Sequence, residues 1–351
     1  MTLPLPQNIA SLTPYSSARS QLKGDRWLFL DANESPFPGR DGPIPLASLN
    51  RYPDPTADAL RDAISSTYGV RRGNVIVSNG ADELIDLAVR SFVRPGRSVL
   101  SPAPSYGFYK VTADLNGVPF LTVPLREDFT CDPRALAQCS KADVLFLCTP
   151  NNPTGSVIAR TDIELILASF PGLVVVDEAY GEFADAQNIP SSIELVNAGA
   201  RNLLVLRTFS KAFGAAGLRL GYGIACDDII NVLLKTKPPY NVGSVTQMIG
   251  LALWNDRARM QENVKIILAE RDRMMAKCTA LGCRVLPTFA NFLLVEFPRT
   301  VRCDEIHRRL RDEFAISVRR FDVLSPKNIL RFSIGSPTEN DRLLTSLSSL
   351  V

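Results

Sequence analysis

Lys211 stands in the run Arg207-Thr-Phe-Ser-Lys-Ala-Phe-Gly-Ala-Ala-Gly-Leu-Arg-Leu-Gly221. Hydroxyls precede it at Thr208 and Ser210, and a guanidinium follows at Arg219, after a loop loosened by Gly214 and Gly217. A lysine among anion-binding groups suits one chemistry well. Its amine forms a Schiff base with pyridoxal phosphate while the hydroxyls and guanidinium hold the cofactor's phosphate. A strand, a polar turn and a surface lysine would produce the same residues without that chemistry, so other stretches must agree.

Several do. Asp177 ends an apolar run and is followed by Glu178-Ala-Tyr180. A carboxylate facing a pyridine nitrogen keeps it protonated and makes the ring an electron sink. Tyr180 and Asn152 are placed to hydrogen-bond the ring's 3′ oxygen, which lowers the imine's pKa. Asn79-Gly80 leads into a helix opening at Ala81-Asp82, whose free N–H groups suit a phosphate, although Asp82 also reads as a helix cap. Tyr106, at a strand-to-helix junction, is a flat ring able to stack on another or to fill a core. The Tyr106-Gly-Phe-Tyr-Lys110 spacing also matches a dehydrogenase pair, but no Gly-rich dinucleotide turn accompanies it.

The elements that must position these residues alternate. Strands are expected at Val75–Ser78, Val99–Leu100, Phe120–Val123, Val144–Cys148, Leu173–Val176 and Leu203–Leu206, with helices at about Ala57–Tyr68, from Ala81, from Tyr106 to Asn116 and over Ile163–Phe170. Apolar runs without alternation indicate strands buried on both faces. The expected fold is therefore α/β, a mostly parallel sheet flanked by helices, with ligands at the strands' carboxyl ends. One or two long helices are expected from Val245 to Leu281. Shorter strands and helices from Phe289 onward form a smaller α+β unit. The expected division is an N-terminal arm over 1–29, a large domain over 30–255 and a small domain over 256–351.

Composition narrows the function classes. The chain has 351 residues, 46% of them hydrophobic, a net charge of +3 and a single histidine, His307. Neither nucleic acid nor a membrane surface is implied as a partner. The seven cysteines are scattered without a CxxC pair, so no disulfide framework or zinc site is expected. Met1–Ser11 lacks a basic n-region with an apolar block, and a cytoplasmic location is expected.

The stretches Leu12-Thr-Pro-Tyr-Ser-Ser-Ala-Arg19, Leu30-Asp-Ala-Asn-Glu-Ser-Pro36, Arg51-Tyr-Pro53, Gly80-Ala-Asp-Glu83, Asn151-Asn-Pro-Thr-Gly155, Val176-Asp-Glu-Ala-Tyr180, Arg207–Phe213, Gly217-Leu-Arg-Leu-Gly221 and Leu330-Arg-Phe-Ser-Ile-Gly335 carry a resemblance across nearly the whole chain. In their order the sequence resembles the class I/II (fold type I) aminotransferases, and among them the histidinol-phosphate aminotransferases. The resemblance implies pyridoxal phosphate on Lys211, Asp177 on the pyridine nitrogen, Asn152 and Tyr180 on the 3′ oxygen, and Tyr106 over the ring. It implies Ala81, Asp82, Ser210 and Arg219 on the phosphate, with Thr208 close by. Tyr52 is expected to reach the phosphate in a partner subunit, which implies a homodimer. Arg331 is the implied arginine for the substrate's anionic group and Arg319 a second, with Arg320 beside it able to take the same part. Tyr15, Asn33, Tyr240 and Asn291 are implied to line the substrate pocket. The loop Phe37-Pro-Gly-Arg-Asp-Gly-Pro43 has no match in the family pattern.

The implied activity is transamination between histidinol phosphate and 2-oxoglutarate in histidine biosynthesis. An aromatic aminotransferase and a threonine-phosphate decarboxylase share these motifs and remain alternatives. A ligand sensor on the same fold is disfavoured by the intact set Lys211, Asp177, Asn152 and Tyr180.

Overall fold

The computed structural model describes residues 27–31, 33–37 and 50–351. Seven strands form the larger sheet: β2 (Val75–Ser78), β3 (Ser98–Ala103), β4 (Phe120–Pro124), β5 (Ala142–Cys148), β6 (Leu173–Asp177), β7 (Leu203–Thr208) and β8 (Gly221–Ala225), in the order β2-β8-β7-β6-β5-β3-β4. β3 through β7 run parallel, while β8 runs antiparallel to both β7 and β2. Every residue of β5, β6 and β7 is buried. That is why these strands read as unbroken apolar runs: helices cover both faces of the sheet. Leu84, Ile85, Leu87 and Ala88 of the helix Ala81–Phe92 pack on one face, and Leu60 and Ile64 of the helix Asp58–Tyr68 belong to the core on the other.

β8 was not among the expected strands. Its sequence, Gly-Tyr-Gly-Ile-Ala, lacks a strand-like run. Gly221 is required by a close approach: a Cβ there would lie 2.7 Å from the Ala81 nitrogen, so the start of β8 can touch the start of the helix Ala81–Phe92 only without a side chain.

The smaller sheet contains β1 (Leu28–Leu30), β9 (Arg284–Val285), β10 (Phe292–Glu296), β11 (Ile316–Arg320) and β12 (Ile329–Ser333), in the order β1-β11-β12-β10-β9. Its core takes Ile306 and Leu310 from the helix Cys303–Asp312, Leu343 and Leu347 from the helix Pro337–Ser348, and Ile267 and Met274 from the helix Arg257–Ala280. The last helix starts from a capping box, in which Ser336 and Glu339 satisfy each other's backbone N–H. The border expected at residue 30 cuts through β1, which pairs in parallel with β11 in the smaller sheet. We propose a division at Asp256, between the helices Ser244–Asn255 and Arg257–Ala280, with β1 counted in the smaller unit.

A buried ion cluster ties the ends of β6 and β7 together. Arg207 is fully buried and lies 2.7 Å from Glu178, 3.3 Å from Glu182 and 3.0 Å from Asp185. Glu178 also accepts from the Ser192 N–H at 2.6 Å and the Ser191 hydroxyl at 2.7 Å. Gly181 leaves room for the guanidinium, since a Cβ there would come within 2.2 Å of Arg207 Cζ. The segments carrying Asp177 and Lys211 are thereby locked to one another. Replacing Arg207 with Met strands buried carboxylates without their cation and is expected to cost about 3–5 kcal/mol. Urea unfolding of the cofactor-free chain measures this, and a loss below about 1 kcal/mol, the range of exposed ion pairs, would show that the cluster does not hold these segments.

Candidate active site

Cys148, Asp177 and Thr208 end or nearly end three adjacent strands, with Cys148 in register with Asp177. Above them opens a cavity of about 530 Å³. Its wall includes Asn33, Ala81, Asp82, Tyr106, Asn152, Asp177, Tyr180, Thr208, Ser210, Lys211, Arg219, Arg319 and Arg331. The strand ends of the larger sheet supply the floor, and the smaller sheet supplies the two arginines opposite.

Asp177 is buried, 3% exposed. Its Oδ2 accepts from the Tyr109 hydroxyl at 2.7 Å and its Oδ1 from the Ala179 N–H at 3.0 Å. Burial pushes its carboxyl up to about 6, and these two donors oppose that rise. Lys211 Nζ lies 5.8 Å from the centre of the Tyr180 ring. Burial, then the positive charge of Arg331, pulls its amine down to about 8. An amine depressed this far is available as a nucleophile and proton acceptor near neutrality.

One end of the cavity is built for an anion. The helix Ala81–Phe92 begins there from Gly80, whose φ of 77° is the left-handed conformation glycine tolerates. A Cβ on Gly80 would lie 2.7 Å from Arg219 Nη2, so the glycine keeps the guanidinium close to the helix start. Arg219 donates to Ser210 Oγ at 3.3 Å and to Asp82 Oδ2 at 3.4 Å. Thr208 Oγ1 accepts the Ser210 N–H at 3.1 Å and donates to Ser210 Oγ at 3.0 Å, which positions that hydroxyl. Tyr106 donates its hydroxyl to Asp82 Oδ1 at 3.1 Å. A buried carboxylate, a depressed amine, an aromatic wall and a helix-start anion pocket in one cavity fit pyridoxal phosphate.

The other end binds the two sheets together. Arg331 donates to Asn152 Oδ1 at 2.5 Å and to the Asp31 carbonyl at 2.7 Å. Arg319 and Arg331 are register partners on β11 and β12, and both guanidiniums lie near the Phe321 ring, at 5.5 Å and 5.2 Å. Arg320 points away from the cavity, pairing with Asp304 at 2.6 Å and Asp322 at 2.5 Å. Asn33 donates to the Tyr180 hydroxyl at 2.9 Å and accepts from Ser333 at 2.8 Å.

Not every expected pocket residue is on this wall. Asn291 is buried behind it and donates to the Asn33 carbonyl at 3.0 Å, so it supports Asn33 rather than lining the cavity. Tyr240 and Tyr52 also lie off the wall, stacked on each other with ring centres 4.6 Å apart, and Tyr52 is 82% exposed. Tyr15 lies outside the described residues. The wall also holds residues the motif reading passed over. Phe321 lies two beyond Arg319, and Cys148 directly precedes the polar loop at Thr149. Tyr109, behind Asp177, was passed over as well; its ring meets that of Tyr106 edge-on at 5.5 Å.

The chain matches the family model for aminotransferase class I and II over residues 46–347. It is 41% identical to a histidinol-phosphate aminotransferase of Parabacteroides distasonis, over 98% of this chain and 96% of the relative. It is 37% identical to one of Cytophaga hutchinsonii, over 98% and 97%. A crystal structure of histidinol-phosphate aminotransferase from Sinorhizobium meliloti in complex with pyridoxal-5′-phosphate superposes with a TM-score of 0.88 and 25% identity, covering 100% of this chain and 98% of that one.

The depressed amine gives a direct test. Lys211 in the cofactor-free chain should be acylated by a small reagent with a midpoint near pH 8. Arg331→Gln removes a neighbouring positive charge, so the ammonium form is favoured and the midpoint should rise. Peptide mass spectrometry across pH reads both. A midpoint in the ordinary lysine range near 10.4 would contradict the burial of this amine.

Proposed function

The chain belongs to the class I and II aminotransferases, and from that premise we infer that it moves the amino group of histidinol phosphate to 2-oxoglutarate, giving imidazole-acetol phosphate and glutamate. The enzyme uses pyridoxal phosphate. When bound, that group supplies an aldehyde for an amine and a pyridinium ring that draws electrons from the amine-bearing carbon.

The chain's own residues take the remaining parts. Lys211 would carry the cofactor and, with its amine free, would move a proton from the substrate's amine-bearing carbon to the cofactor's aldehyde carbon. Asp177 keeps the ring nitrogen protonated. Asn152 and Tyr180 hydrogen-bond the 3′ oxygen, and Asn33 leaves the Tyr180 proton free for that bond by donating its own. Tyr106 covers the ring. Ala81, Asp82, Ser210 and Arg219 hold the phosphate, with Thr208 orienting Ser210.

The observation that carries the substrate reading is the side-by-side pair Arg319 and Arg331 facing the cavity. Adjacent guanidiniums repel unless an anion lies between them, and their planar forks suit phosphate and carboxylate alike. A ping-pong enzyme meets both: the phosphate of the amino donor and the carboxylates of the acceptor. The 37–41% identity to relatives bearing this name supports the same substrate. A homodimer completes the proposed site. Tyr52, a large aromatic left 82% exposed, is then available to a partner's phosphate. Among the described residues no helix is long and apolar enough to cross a membrane. A cytoplasmic location is supported by the seven cysteines, all free.

Single-turnover reactions with histidinol phosphate, phenylalanine and threonine phosphate separate the readings. Histidinol phosphate is expected to convert the cofactor's absorbance fastest, and Lys211→Ala to abolish turnover. Arg319→Gln should raise KM for histidinol phosphate by about 10-fold or more with a smaller fall in kcat, the loss of one hydrogen bond to a charged group. Carbon dioxide release from threonine phosphate, or preference for phenylalanine, would overturn the substrate assignment.

A further inference from the structure

Tyr109 has no part in the assignments above, yet it is the only side chain that hydrogen-bonds Asp177 among the described bonds. Its ring is fully buried. It stacks on Phe146 with centres 4.5 Å apart and planes 5° from parallel, and it meets Tyr106 at 5.5 Å and 88°. The phenol is therefore held from both sides. It reaches Asp177 Oδ2 at 2.7 Å while the Ala179 N–H holds Oδ1 at 3.0 Å. One donor on each oxygen fixes the rotation of the carboxylate. Each oxygen retains further acceptor capacity toward the cavity.

We propose that Tyr109 is a positioning residue for the reaction, its phenol keeping the Asp177 carboxylate ionised and aimed at the protonated ring nitrogen of pyridoxal phosphate. This rests on the cavity being that cofactor's site. The ionisable groups around Asp177 are Tyr109 itself, Cys148 at the end of β5, Asp82 at the helix start, Glu178 next in the chain, and Lys211 and Tyr180 on the cavity wall. Asp82 and Glu178 push the carboxyl further up, as burial does, and the phenol is the largest opposing influence. Burial, and then Asp177, holds the Tyr109 phenol well above its ordinary value, so it donates throughout the working range. Removing the hydroxyl would raise the Asp177 carboxyl, leaving more of it protonated and unable to pair with a pyridinium.

The test is the affinity of the full-length chain, stripped of cofactor, for pyridoxal phosphate between pH 5.5 and 8.5, read by protein fluorescence. Tyr109→Phe keeps the stacked ring. It should weaken binding about 10-fold at pH 7, the scale of one hydrogen bond to a charged group, and shift the acid limb of the profile to higher pH. In an Asp177→Asn background the same substitution should change affinity less than twofold. Equal losses in both backgrounds would mean that the hydroxyl only packs, and no loss in the wild-type background would mean that it does not hold the carboxylate. Either overturns the proposal. If the phenylalanine variant does not fold, 3-fluorotyrosine at position 109, a stronger donor, should shift the acid limb to lower pH, and an unmoved limb would overturn it. Failure of the wild-type chain to bind the cofactor would instead overturn the site assignment on which the proposal rests.

Discussion

Keeping a carboxylate charged inside a protein is costly unless something compensates it, and the end of β6 faces that problem at Asp177. The neutral donors on its two oxygens offset part of the cost, and the carboxyl still sits near 6. A cation in the cavity completes the compensation, and a pyridinium nitrogen supplies one. The same buried setting lowers the Lys211 amine to about 8. One environment thus favours a cation opposite Asp177 and leaves the Lys211 amine ready to give up its proton. The parallel run of β5, β6 and β7 is what places both groups at one edge of the sheet.

The second sheet turns that edge into an enclosed site. Asn33, just beyond β1, reaches Tyr180, and Arg331 on β12 reaches Asn152. These side chains come from distant parts of the chain, yet their bonds cross the gap between the two sheets. The proposed recognition of the substrate's anion would draw on the same contact, because Arg331 both bridges the sheets and lines the cavity. Anything that shifts the smaller sheet therefore shifts Asn152 and Tyr180, the residues assigned to the ring's 3′ oxygen.

Arg219 was legible as a cavity residue because a glycine-bearing loop leads to it, and Lys211, Asp177 and Tyr180 because each lies in a local motif at or just after the end of an apolar run. The parallel strands were legible for the same reason. β8 was not, since Gly221 is fixed by the approach of the helix start rather than by strand propensity. The choice between Arg319 and Arg320 needs the strand's alternation and the position of Asp304, which no local pattern contains. Asn291 was expected to line the substrate pocket, but its partner is the Asn33 carbonyl, 258 residues away in sequence. Tyr109 escaped notice because a tyrosine in a helix gives no sign of facing a carboxylate on another element. Tyr52 and Tyr240 lie on the surface; the role expected of Tyr52 depends on a second chain, and Tyr240, expected in the substrate pocket, stacks on Tyr52 instead.

The central claim is that Asp177 keeps a proton on the cofactor's ring. The most direct measurement is the 15N chemical shift of the ring nitrogen in enzyme loaded with 15N-labelled pyridoxal phosphate, followed to pH 8. A shift characteristic of a protonated pyridinium, retained at pH 8, is the predicted result. A neutral ring nitrogen at that pH would contradict the account.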